Sequence, residues 1–361
     1  MALSCFDDDN MIKSSAIRVL IVDDSLVFRK RLEQSLSTNQ EIEVIGTAAD
    51  PIEAAKKIQA LSPDVITMDV EMPRMSGIDF IRQLIPKHPI PVVVVSSLPI
   101  NVIEALSAGA VDFIKKPTVK SPEDMNQFIK ELSFKIKIAS KAKVRRMPEH
   151  IMQSQKPLKI TNTPPKMVLG HPNTIIAIGA STGGTEAIIE VVKNLPADTP
   201  GIVIVQHMPP VFTKMYAQRL DKICHMSVKE AEDMDRVEKG KIIVGAGEFH
   251  MRLCKDAKGY YVRSQPGPRV NGHCPSVDVL FDTVADVAGK NAVGVILTGM
   301  GADGAKGITK MRQKGAYTIG QDRATCVVYG MPMEAFKLKG ITKQLPLDQI
   351  GNEIIAQVNK M

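Results

Sequence analysis

Two sets of residues in this 361-residue chain have types and spacings that can do chemistry. The first is acidic. Asp23 and Asp24 close the apolar run "IRVLIVDDS", Asp69 closes "PDVITMDVEMP", Ser96 closes "IPVVVVSSL", and Lys116 stands just before Pro117 in "VDFIKKP". In an open parallel sheet, functional groups collect beyond the carboxyl ends of the strands, so these five side chains would converge. Three carboxylates that close repel one another unless a divalent cation lies among them, and hard oxygen ligands with a half-open shell suit Mg²⁺. A carboxylate beside such an ion can attack a phosphoryl group, with a lysine and a hydroxyl holding the phosphoryl oxygens. A single strand-end aspartate is more often a helix cap; the ordered set is what points to phosphoryl chemistry.

The second set is built around "TIIAIGASTGG", residues 174–184, where an apolar strand runs into Gly179-Ala180-Ser181-Thr182-Gly183. A phosphate cradle, a nucleophile and a plain tight turn all fit a glycine-flanked serine at the mouth of a helix. A cradle calls for a P-loop lysine or G-x-G-x-x-G, and neither is present. G-x-S-x-G suits a nucleophile: small neighbours allow a sharp strand-to-helix turn that projects Oγ, and the helix N-terminus supplies amide donors for an oxyanion. His207 follows the apolar run in "GIVIVQHMPP", and Asp303 lies in the glycine-rich turn of "AVGVILTGMGADG". Singly, such a histidine is usually structural and such an aspartate a turn residue. Past the ends of three separate strands of one sheet, however, the three would meet. Their chain order, Ser-His-Asp, differs from the Ser-Asp-His order of α/β-hydrolases. The reading places Ser181 Oγ within ~3.2 Å of His207 Nε2 and keeps Asp303 ionised to hold the imidazole tautomer.

The elements that must position these residues follow from the hydrophobic pattern. Continuous apolar strands alternate with amphipathic helices from residue 18 to 135, the pattern of a parallel sheet covered on both faces, here a complete (βα)5 unit. Residues 136–172 are basic, polar and proline-bearing, and read as a linker with the end of a helix at its start. From 173 to 357 the βα rhythm resumes as a second doubly wound, mostly parallel α/β domain. In it "KGKIIVGAGEFHMRL" reads as one strand, and a hairpin is expected around "MRLCKDAKGYYVR". Residues 1–17 read as a disordered leader.

Composition narrows the classes. There is no Trp, and aromatic residues make up 4%, so the cores must be aliphatic and methionine-rich. No run of 18 apolar residues exists to cross a membrane. The start "MALSCFDDDNMIK" puts aspartates where a signal peptide needs an apolar core. Five cysteines without a CxxC pattern indicate reduced thiols, hence a cytoplasmic protein, and the seven histidines show no metal spacing. The formal net charge of +7 raises nucleic-acid binding. Yet Lys135, Lys137, Lys141, Lys143, Arg145 and Arg146 crowd one stretch without aromatics, and no helix-turn-helix spacing is found. No nucleic-acid partner and no membrane insertion are expected.

Residues 18–135 resemble the receiver domain of bacterial response regulators over its whole length. The resemblance implies that Asp69 is the phospho-acceptor, that Asp23, Asp24, Asp69 and the Glu71 backbone carbonyl bind Mg²⁺, and that Ser96 is the switch hydroxyl with Lys116 the phosphate partner. The segment from Ser96 to Gly109 is about two residues shorter than usual, which leaves Ser96 and Ser97 as alternatives for the switch. The motifs "GASTGG", "VIVQHMPP", "VNGHCPSVDVLF", "LTGMGADGAKG" and "GQDRATCVVYGMP", spanning about 174–348, resemble the catalytic domain of the chemotaxis protein-glutamate methylesterase/protein-glutamine glutaminase (CheB) family. A receiver followed by this domain is that family's arrangement. The resemblance implies Ser181 as nucleophile, His207 as base and Asp303 as its orienting partner, with Thr182 and the Met300 amide bordering the oxyanion. It implies methyl-accepting chemoreceptors as substrate, a histidine kinase as phosphodonor, and no cofactor for ester hydrolysis. Arg323 departs from the family, where this position is more often acidic. A basic face around Arg263, Arg269, His273 and Lys306 would suit an acidic receptor helix, although a merely solvated face fits equally. The expected regulation is steric, the unphosphorylated receiver packing over the esterase groove. The alternatives are a response regulator with a DNA-binding output, an esterase acting on another small ester, and a scaffold without chemistry.

Overall fold

The computed structural model describes residues 16–117, 121–144 and 173–361. The leader residues 1–15 and the linker residues 145–172 lie outside the described residues.

The N-terminal domain runs β1 (Ile17–Val22), α1 (Leu26–Leu36), β2 (Ile42–Ala48), α2 (Pro51–Leu61), β3 (Val65–Asp69), α3 (Gly77–Lys87), β4 (Val92–Ser96), α4 (Pro99–Ser107), β5 (Asp112–Lys115) and α5 (Pro122–Ala139). The strands pair in parallel in the order β2-β1-β3-β4-β5. β3 and β4 are buried along their whole length, because helices cover both faces of the sheet. Side-chain caps start α2 and α5: the Asp50 carboxylate accepts from the amides of Ile52 and Glu53, and Ser121 and Asp124 form a reciprocal capping box. The helix expected to end near residue 136 runs to Ala139, since Ile136, Ile138 and Ala139 are all buried.

The C-terminal domain runs β6 (Ile175–Ala180), α6 (Gly184–Val192), β7 (Ile202–Gln206), α7 (Phe212–Ile223), β8 (Ser227–Glu230), β9 (Lys241–Val244), β10 (Phe249–Asp256), β11 (Gly259–Pro266), α8 (Val277–Val287), β12 (Ala292–Ile296), α9 (Ala305–Gln313), β13 (Tyr317–Gln321), α10 (Met331–Lys337), β14 (Lys343–Leu345) and α11 (Leu347–Val358). Seven strands form a parallel sheet in the order β14-β13-β12-β6-β7-β9-β8. The segment read as one strand, "KGKIIVGAGEFHMRL", divides in two. β9 stays in the sheet, and β10 leaves it to form an antiparallel hairpin with β11. The break falls where the chain passes Pro210: a Cβ on Gly247 would come within 2.3 Å of the Pro210 nitrogen.

The two domains share a core. Ile103, Leu106 and Phe113 of the first lie in one apolar cluster with Ile189, Met208 and Phe212 of the second. α4 packs against α7, and the Phe113 ring stacks on Phe212 at 4.7 Å. Among the described residues, no helix is long and apolar enough to cross a membrane.

Candidate active site

The order of the seven-stranded sheet reverses between β6 and β12, and loops leaving such strands part to form a crevice. Ser181 follows β6 directly. Its amide donates to the Thr298 carbonyl beyond β12 at 3.0 Å, which ties the two sides of the crevice together. Ala180 and Gln206 are partners in the β6–β7 register, so Ser181 and His207 are the next residues on adjacent strands; the His207 amide donates to the Ala180 carbonyl at 3.2 Å.

The turn after Ser181 depends on glycine. Gly183 has φ +74, and a Cβ there would meet Val327 at 2.7 Å. A Cβ on Gly184 would lie 2.2 Å from Gln206 Oε1, and one on Gly299 would lie 2.7 Å from the Ser181 Cβ. The Ser181 carbonyl accepts from the Gly184 amide at 2.7 Å and from Gln206 Nε2 at 2.9 Å, which fixes the elbow from behind.

His207 Nε2 lies 2.7 Å from Asp303 Oδ2, with the imidazole side chain only 7% exposed. Asp303 sits at the N-terminus of α8 and is densely solvated by protein. Its Oδ2 also accepts from the Val277 amide at 2.7 Å, and its Oδ1 accepts from Ser276 Oγ at 2.7 Å and Asn271 Nδ2 at 2.8 Å. Burial alone would raise its pKa, but the hydrogen bonds from His207, Asn271 and Ser276 outweigh it and hold the carboxyl below the ordinary range, hence ionised. Ser181, His207, Met300 and Asp303 line one cavity of about 830 Å³, which receiver residues including Phe134 and Lys135 also border.

One expected detail is corrected. Because Asp303 occupies Nε2, that nitrogen cannot face Ser181. Nδ1 is buried and has no hydrogen-bond partner among the described residues, so neither ring nitrogen is hydrogen-bonded to Ser181 Oγ, and Nδ1 is the nitrogen left free. This reverses the nitrogen assignment of the familiar triad, in which the carboxylate holds Nδ1. Thr182 lines the same cavity, and its hydroxyl donates to Asp112 Oδ2 of β5, in the other domain, at 2.8 Å. Asp112 Oδ1 in turn pairs with Lys135 Nζ at 2.8 Å.

In the N-terminal domain, the strand order reverses between β1 and β3, and the acid cluster lies there. Ligand oxygens of Asp23, Asp24 and Asp69 fall within 4.8 Å of one another. Lys116 Nζ bridges Asp23 Oδ2 and Asp69 Oδ2, each at 2.8 Å. Burial raises the pKa of Asp23 even so, with Lys116 only partly opposing it. A single ammonium leaves these carboxylates under-compensated, and an all-oxygen set of this kind fits Mg²⁺. Ser96 is buried at the end of β4, with its Oγ bonded to the Leu98 backbone, whereas Ser97 is exposed.

A family model described as CheB methylesterase matches residues 176–354, and one described as response regulator receiver domain matches residues 19–130. The protein-glutamate methylesterase/protein-glutamine glutaminase 2 of Syntrophomonas wolfei is 51% identical over 345 residues, covering 96% of this chain and 98% of that protein. The chain belongs to the CheB family. The protein-glutamate methylesterase/protein-glutamine glutaminase of Yersinia pestis is 45% identical over 349 residues, 96% of this chain and 98% of its own length. Among solved structures, the catalytic domain of Thermotoga maritima CheB methylesterase is 37% identical with a TM-score of 0.51, covering 52% of this chain and 100% of that one. A CheB methylesterase domain where a DNA-binding output would stand removes that alternative.

For this CheB-family chain, sequence reasoning missed Gln206, Asn271 and Ser276. The first sits one residue before His207, and the others lie in "VNGHCPS", whose Asn-Gly pair signals a tight turn. The sequence suggests a basic face that includes His273. Instead it is half-buried, stacked on the His207 ring, and pushed down to about 4, chiefly by burial. Arg263, from the same expected face, is bonded to Asp233 at 2.8 Å; Lys306 is exposed. Cys224, Cys254, Cys274 and Cys326 are free thiols.

Proposed function

We propose that this chain is a phosphorylation-activated cytoplasmic hydrolase that removes γ-methyl esters from glutamates, and deamidates glutamines, on chemoreceptor helices, giving sensory adaptation. The observation that carries the reading is the His207–Asp303 pair at 2.7 Å on the wall of the cavity that also holds Ser181, under a receiver roof.

In this mechanism His207 Nδ1 takes the Ser181 proton, and Oγ attacks the γ-carbonyl. The turn after Ser181 and the Met300 amide donate to the tetrahedral oxyanion, each worth ~3 kcal/mol if well placed. The imidazolium passes its proton to the methoxy oxygen as the C–O bond breaks and methanol leaves, or to the amide nitrogen as the C–N bond breaks and ammonia leaves when glutamine is the substrate. Water, deprotonated by His207, then releases the glutamate. Ionised Asp303 holds the tautomer throughout.

In the receiver, Asp69 is the phospho-acceptor, served by a histidine kinase. Asp23, Asp24, Asp69 and the Glu71 carbonyl would hold a divalent cation, which would neutralise the charge of the incoming phosphoryl oxygens. Lys116 pairs with the phosphoryl group, and Ser96, the buried hydroxyl, is the switch. The receiver borders the cleft and is expected to hold the basal activity low, with phosphorylation shifting the population toward an open form.

The test is methanol release from methylated receptor by the full-length chain with and without acetyl phosphate. Ser181→Ala is expected to abolish release, and deletion of residues 1–135 to raise the basal rate. Retained activity in Ser181→Ala would sink the reading. A chain that hydrolyses small esters and leaves methylated receptor intact would point to another substrate.

A further inference from the structure

We propose that His273 is a positioning residue that sets the ring plane of His207 by stacking on it; this rests on Ser181, His207 and Asp303 being the reacting set. The two imidazole rings lie face to face, with centroids 3.6 Å apart and planes within 10°. A hydrogen bond from Nε2 to Asp303 fixes one point of the His207 ring and leaves rotation about that contact free. Nδ1, the nitrogen that must meet Ser181, swings on this rotation. A flat plate against one face removes it.

The plate is itself held. Val270 and His273 exchange backbone hydrogen bonds of 2.9 Å across a turn whose central residues, Asn271 (φ 53) and Gly272 (φ 83), both have left-handed backbone. Two positive-φ residues in a row are the type I′ geometry that Asn-Gly favours. The same turn delivers Asn271 Nδ2 to Asp303 Oδ1 and to Asp278 Oδ2, each at 2.8 Å. One four-residue turn therefore grips the carboxylate with its second residue and the imidazole with its fourth. Charge suits the role. His207, Arg269 and Lys135 face His273 and add to the effect of burial, outweighing Asp303, so His273 stays neutral at physiological pH. When His207 becomes an imidazolium, it lies against a neutral aromatic face and not against a like charge.

The experiment uses the full-length chain with acetyl phosphate and Mg²⁺, and follows labelling of Ser181 by a fluorophosphonate probe beside receptor demethylation. His273→Ala is expected to lower the limiting labelling rate and kcat roughly ten- to a hundredfold, the scale of a small misplacement of a reacting group. KM and the probe's binding constant should stay close to wild type. His273→Phe, which keeps a flat face but no ring nitrogen, should recover most of the loss. His273→Leu, which fills the volume without a plate, should be as slow as the alanine variant, and it carries the test if His273→Ala unfolds. Wild-type rates in His273→Leu, a phenylalanine variant as slow as leucine, or a change confined to KM would each overturn the inference. Failure of the probe to label wild-type Ser181 would instead overturn the reacting set, and this inference with it.

Discussion

At the scale of single residues, the site is an arrangement of buried charge. Asp303 keeps its negative charge because protein donors replace water around it, and His207 draws on that charge. Asp303→Asn replaces one acceptor oxygen with an NH₂ facing the Ser276 hydroxyl or the Val277 amide, and it removes the charge that would stabilise an imidazolium. Turnover should fall by about 10⁴-fold, the scale seen when a triad loses this carboxylate; demethylation kinetics of the purified variant check it. His273 gives a pH prediction that does not depend on catalysis. Its folded pKa is lowered to about 4, below an unfolded value of about 6.5. Between those values the unfolded chain holds the proton and the folded chain does not, so unfolding takes up a proton. Stability therefore falls as pH drops through that window, by up to about 1.4 kcal/mol per pH unit. His273→Phe should flatten this part of the slope in denaturant melts; a slope equal to wild type would mean that the ring titrates alike in both states. The sequence made the residue types and strand-end positions of the candidate set legible. It did not reveal which imidazole nitrogen meets the carboxylate, because that depends on the rotamer of a loop residue and on a distant turn, Val270–His273.

At the scale of elements, parallel strands and glycines do the positioning. Periodicity made both sheets readable, because apolar runs such as "VVVVS" have no other stable place than a strand covered on both faces. It failed at β9 and β10, which share one unbroken β-like pattern; the chain turns between them at Gly247, packed against Pro210, and at Glu248 with φ 67, and the contact with Pro210 is tertiary. The elbow at Ser181 is the element-level counterpart. Gly183 at φ +74 has Val327 within 2.7 Å of where a Cβ would stand. Val327 also accepts from the Lys143 amide at the end of the receiver, so it is not free to yield. Gly183→Ala should thus cost about 1–2 kcal/mol from the left-handed backbone alone, with the contact adding to it. The turn should shift, and Ser181 labelling should slow with it. Denaturant unfolding and labelling rates measured on the same variant would separate the two effects, and an alanine variant with wild-type values in both would show that the elbow tolerates a Cβ.

At the scale of the whole molecule, the receiver reaches the cleft through β5 and α5, not through its acid cluster. Asp112 opens β5, whereas Lys115, at the other end of that strand, pairs with Ser96 in the register. About 10 Å of strand therefore separates the contact with Thr182 from the phosphorylation end of the sheet. A physical link exists along the neighbouring element: the Ser96 hydroxyl is bonded to the backbone of Leu98, the residue that caps α4, and α4 packs on α7 of the catalytic domain. A Ser96 hydroxyl drawn toward a phosphoryl group on Asp69 would release Leu98 and with it the docked helix. The Asp112–Thr182 bond is the point where closure can be measured. It joins a receiver carboxylate to the hydroxyl of the residue after Ser181, so under the proposed mechanism it would hold that hydroxyl away from a substrate oxyanion. A hydrogen bond to a charged group contributes about 1.5–3 kcal/mol, so its removal should move the closed-to-open ratio roughly ten- to a hundredfold. Asp112→Ala is accordingly expected to raise demethylation by the unphosphorylated chain toward the phosphorylated rate, while the fully activated rate, already open, changes little. Asp112→Asn keeps an acceptor oxygen for Thr182 and should fall between. Initial rates with and without acetyl phosphate decide it: equal activation ratios in Asp112→Ala and wild type would mean that closure rests on the other contacts between the domains, such as the apolar packing of Phe113 on Phe212 and of α4 on α7.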